Sequence, residues 1–98
     1  MDYTKFDKYI GEQLMDARLN KKMTQATITK LISYDLITKD GKKKGISYQA
    51  YAHYENGERS MPWNIFVFAC NALDLNPNKV FKTANERFMK SVENDLQR

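Results

Sequence analysis

The sequence is poor in the residues that several protein classes require. It holds one cysteine, Cys70, in 98 residues, so no internal disulfide can form and a disulfide-stapled secreted fold is excluded. Its longest unbroken apolar run, Ile65 to Cys70, is far short of the roughly 18 residues that a membrane span needs. No basic, apolar, small-residue leader opens the chain, so no secretion signal is expected. One histidine, His53, and one cysteine cannot build a familiar zinc site. The four glycines form no phosphate-cradling loop. Of the four serines, Ser47 is explained as a helix cap, and the carboxylates are scattered along amphipathic segments. The expectation is a non-enzymatic cytoplasmic protein without cofactor, metal or membrane partner.

What is present fits one compact domain. The hydrophobic fraction of 42% suffices for one core, and 98 residues split in two would leave each half marginal. The formal net charge is +4, and it is unevenly placed. Ten basic residues stand against six acidic ones from Met1 to Gly45, and six against six from Ile46 to Arg98. The whole excess therefore lies in the first half, which suggests an anionic partner there.

Apolar spacing predicts mostly helix. Phe6, Ile10, Leu14 and Ala17 form a helical stripe over Thr4 to about Asn20. Thr24 caps a second helix, Gln25 to about Ile32, with Met23 and Ile28 at staple spacing. Ser47 caps a third, with Ile46 and Tyr51 similarly placed and Asn56-Gly57 closing it. Pro62 opens a fourth, apolar almost all round and therefore central. Asn76-Pro77 opens a short helix through Phe81, and a last segment runs from Ala84 to about Leu96. Between the second and third helices, residues 33–44 read as an insertion. Its Asp40-Gly41 turn and flanking residues point to a short β-hairpin finger or, equally, a plain loop.

The order of these pieces resembles the lambda-repressor-like (Cro-type) helix-turn-helix family. The residues that carry the resemblance are Met23-Thr24-Gln25, Gly45-Ile46-Ser47, Tyr54-Glu55-Asn56-Gly57, Arg59, Pro62 and the apolar helix Ile65 to Leu73. The twelve-residue insertion inside the motif departs from the family pattern. The resemblance implies an all-α, five-helix domain over residues 1–83, followed by a C-terminal helical element over 84–98.

The resemblance also implies sequence-specific double-stranded DNA binding in transcription regulation, as a repressor on a two-fold operator in a bacterial nucleoid, phage or mobile element. A helix entering the major groove reads base edges with its outward residues. Here these are Tyr48, Gln49, Ala50 and His53, with Gln25, Asn56 and Arg59 matching backbone-gripping positions. Lys39, Lys42, Lys43 and Lys44 in the insertion are further candidates for phosphates, or simply a solvated charge run. One short helix reads few base pairs, so a homodimer is expected. Phe81, Phe88, Val92 and Leu96 are the candidate dimerisation stripe, or else pack over the core. The alternatives are a protein-interaction module whose partner is a toxin or an antirepressor, and a nucleic-acid binder without sequence preference.

Overall fold

A computed structural model describes residues 4–97. The chain forms five α-helices, α1 (Thr4–Asn20), α2 (Gln25–Thr38), α3 (Tyr48–Glu55), α4 (Trp63–Ala72) and α5 (Pro77–Leu96), and no strand occurs among the described residues. Three expected caps are in place. Thr24 Oγ1 accepts from Thr27 N at 3.1 Å, Ser47 Oγ from Ala50 N at 3.1 Å, and Asn76 Oδ1 from Asn78 N at 2.9 Å. Each satisfies one N–H that the helix itself leaves open.

Three helices end in the same way. The sixth residue's N–H reaches back to the first carbonyl in Met23 N to Arg18 O (3.0 Å), Glu58 N to His53 O (2.9 Å) and Leu75 N to Cys70 O (2.8 Å). The residue before each bond donor, Lys22, Gly57 and Asp74, is left-handed, with φ of 56°, 74° and 56°. This is the Schellman closure, which satisfies the orphan carbonyls of the last turn. It turns the chain sharply, so that short helices pack back on one another.

The centre is α4, whose Ile65, Phe66, Phe68, Ala69 and Cys70 are buried. α2 packs along it with Ile28, Ile32 and Leu36, and α1 supplies Ile10 and Leu14. α5 lies mainly on α1 through Val80, Ala84 and Phe88. The two segments expected after Asn76 are one helix, and α5 runs unbroken across residues 83 and 84. Gln13 Nε2 donates to Val80 O at 3.0 Å, and the Arg87 guanidinium sits 4.1 Å from the centre of the Tyr9 ring.

The expected insertion is shorter than its sequence suggests. Residues 33–38 continue α2, and residues 39–47 form turns and bends rather than a hairpin. The reason is burial. Leu36 extends the Ile28, Ile32 series by one more four-residue step and is only 3% exposed. That gain outweighs the β-like local composition of Ile37-Thr38. Asp35 and Lys39, one turn apart, pair at 3.5 Å and support the same turn.

Two predictions follow from this packing. Leu36→Ala is expected to lower unfolding free energy by about 2–5 kcal/mol in urea titrations; an effect under about 0.5 kcal/mol would mean the segment is surface loop. Cys70 is fully buried, and burial pushes its thiol up from the usual 9.0 to about 12. A raised folded value means the contribution is complete below pH 9 and lost as pH rises towards 12. The urea midpoint is therefore expected to fall above pH 9, and to fall less steeply in Cys70→Ala.

Candidate nucleic-acid interface

α3 has eight residues, too few to be stable alone. Its position is set by what its inner face touches. Tyr51 is completely buried and Glu55, one turn on, is 3% exposed. The Glu55 carboxylate receives Arg18 Nε at 3.0 Å and Arg18 Nη2 at 2.7 Å, a two-pronged ion pair inside the protein. Arg18 is itself 9% exposed and gives Nη1 to Met23 O at 2.9 Å. Gln25 Nε2, at the first position of α2, donates to the same carboxylate at 3.2 Å. The ends of α1 and α3 and the start of α2 thus share one charge centre.

α1 can come this close because residue 11 is glycine. A Cβ at Gly11 would overlap the Glu55 carbonyl. Beside the pair, the Tyr51 hydroxyl is buried next to the Glu55 carboxylate. Burial first, and the adjacent Glu55 charge second, push its pKa upward. The Arg18 guanidinium is likewise held above its ordinary value, chiefly by its hydrogen bond to Glu55.

The outer face of α3 is open. Tyr48 is 51% exposed, Gln49 is exposed, and Ala50 and His53 are half-buried. Gln49, Ala50 and His53 lie on the side turned away from Tyr51 and Glu55, whereas Tyr48, three residues before Tyr51 and seven before Glu55, shares their face and is exposed as the first residue of α3. His53 is not unengaged: its Nδ1 meets Glu58 Oε2 just beyond the helix. Asn56 and Arg59 are exposed at the helix exit.

The other expected contacts divide. Gln25 is half-buried and spends one amide N–H on Glu55, keeping the second. Lys39 folds back, pairing with Asp35 and lying 5.9 Å from the Phe68 ring centre. Lys42, Lys43 and Lys44 are exposed, and their side chains make no ion pair among the described residues. On α5, Phe88 is 6% exposed and packs edge-on against Phe6 at 6.1 Å, so the core claims it. Phe81, 44% exposed, rests edge-on against Phe6 at 5.4 Å, Leu96 (80%) stands outside, and Val92 is half-buried.

Sequence reasoning missed Arg18 and Glu55. The signal was there. Arg18 continues the Ile10, Leu14 stripe by four residues and Glu55 continues from Tyr51 by four. Two opposite charges, each in line with an apolar stripe, are candidates to meet inside.

Comparison with protein-family models, with curated proteins and with solved structures returned no match to this chain.

The ion pair yields a testable contrast. Glu55→Ala strands the Arg18 charge and is expected to cost about 3–5 kcal/mol. The double replacement Arg18→Met with Glu55→Leu is expected to recover most of it. Urea unfolding of both proteins checks this; equal losses would show that the pair's charge balance is not what matters.

Proposed function

We propose that this chain is a sequence-specific DNA-binding transcription regulator, a repressor of the lambda-repressor-like helix-turn-helix type, with α2 and α3 as the motif and α3 as the reading helix. The observation that carries the reading is the sidedness of α3. Its inner face is locked by Tyr51 and Glu55, its outer face carries Gln49, Ala50 and His53, and Tyr48 stands exposed at its first position. Eight residues span about 12 Å, a length that the major groove accepts.

The chemistry suits bases. Gln49 can bond an adenine edge in two places, the Ala50 methyl can touch a thymine methyl, and Tyr48 and His53 can bond base or phosphate. Gln25, Asn56, Arg59 and the lysine segment would hold the backbone and set register. A second copy would use the apolar groups of α5 that remain outside, Phe81 and Leu96, so that two α3 helices address a two-fold operator. Occupancy of that operator would exclude polymerase.

A second reading, a module that binds another protein such as a toxin or an antirepressor, draws on one feature. A cavity of about 100 Å³ opens between Phe6, Met61, Trp63 and Phe81, with Trp63 60% exposed. Apolar surface of this kind also marks protein partners.

Gln49→Ala tests the first of these readings. Measured by fluorescence anisotropy against a panel of single-base operator variants, it is expected to lose about 1–3 kcal/mol, with discrimination relaxed at one base position. Uniform weakening, or none, would remove Gln49 as a reader.

A further inference from the structure

The excursion between α2 and α3 is closed at its base. Ser33 Oγ accepts from Ile46 N at 3.1 Å and lies 3.3 Å from Ile46 O, to which it donates, so both backbone groups of one residue are tied to one side chain. Gly45 lies against Ser33 so tightly that a Cβ there would overlap the serine side chain. The chain thus passes Ser33 and is tied back to the same serine thirteen residues later.

The outgoing limb is held as well. It is helix as far as Thr38, anchored by Leu36 in the core. Lys42 N donates to Leu36 O at 3.0 Å, and Asp40 Oδ2 accepts from Asn64 Nδ2, at the start of α4, at 3.1 Å. Between the Asp40 clasp and the Ser33 clip stand Lys42, Lys43 and Lys44. Neighbouring Lys39 has a carboxylate, whereas these three have none among the described residues.

Three adjacent like charges repel, and no carboxylate among the described residues pairs with them to offset that cost. Holding them in place is useful only to an external polyanion, whose binding then escapes the ordering cost of a free loop. The segment runs directly through Gly45 and Ile46 into Ser47, the cap of α3. Its lysines therefore stand at the entry end of α3, where the first N–H groups of the helix also favour negative charge.

We propose that residues 34–44 are a clamped arm that carries Lys42, Lys43 and Lys44 to the phosphates flanking the entry end of α3, and that Ser33 and Asn64 are its positioning residues. This rests on the DNA reading above and adds to it how the lysine segment is positioned: its geometry is set in advance by Ser33 on α2 and Asn64 on α4.

The test is anisotropy binding to a selected operator duplex and to a random-sequence duplex across a range of KCl concentrations. Replacing Lys42, Lys43 and Lys44 by alanine is expected to reduce the salt slope by about two to three, at about 0.9 per phosphate contact, on both duplexes. Base preference should stay unchanged. Ser33→Ala keeps every charge and is expected to weaken binding several-fold, and Asn64→Ala, which frees the other limb, does likewise should Ser33→Ala not fold. In the triple-alanine background these two changes should have no further effect on affinity, because they act through the lysines. A merely structural role would weaken binding equally in both backgrounds and would overturn the proposal, as would an unchanged salt slope. A slope that falls on both duplexes without any base preference sinks the sequence-specific reading and leaves the arm standing. Wild-type protein that binds neither duplex sinks both.

Discussion

Glu55 carries a carboxylate into the interior, where an unpaired charge is costly. Arg18 meets it with two prongs and Gln25 with a third N–H, while the remaining reach of Arg18 goes to the Met23 carbonyl. Much else in the molecule follows from that demand. α1 must end beside α3, which requires glycine at position 11, and α2 must begin beside the same carboxylate. A buried pair of this kind adds little net stability over apolar groups of equal volume, and its value lies in orientation. An apolar contact tolerates sliding and rotation, whereas a two-pronged guanidinium does not.

The angle between α2 and α3 is therefore pinned at two places. One is the Gln25 contact with Glu55 at the start of α2 and the end of α3. The other is the Ser33 clip on Ile46, part-way along α2 and just before α3. Residues 34–44, beyond Ser33, leave both pins untouched. Of these, residues 34–38 continue α2 along α4, and the rest present lysines. The candidate reading surface then consists of Gln49, Ala50 and His53, with Tyr48 at the helix start, on a fixed helix with positive charge gathered at its entry end.

Much of this was legible in the sequence. The caps Thr24, Ser47 and Asn76, the left-handed Gly57, the central α4 and the inward Tyr51 each rest on local rules that tertiary packing did not override. The outward Gln49, Ala50 and His53 follow from helical phase once Tyr51 is inside, whereas the exposure of Tyr48 comes from its place at the helix start. What escaped notice depended on distant partners. Residues 33–38 looked β-like locally, and only the place waiting for Leu36 beside α4 makes them helix. Phe88 sat in a plausible interface stripe, yet Phe6 on α1 covers it, 82 positions earlier in the chain. Arg18 and Glu55 are charged, so each alone read as surface; their burial makes sense only as a pair. Lys22 and Asp74 gave no hint of their left-handed backbone, since neither is the glycine that such closures usually take.

Whether the open face of α3 reads a base sequence is decided by selecting bound duplexes from a random DNA pool with the purified protein. The expected result is enrichment of one short sequence, repeated about a two-fold axis with half-sites roughly one helical turn apart. A pool that remains as random after several rounds as it was at the start, although bound, would contradict it.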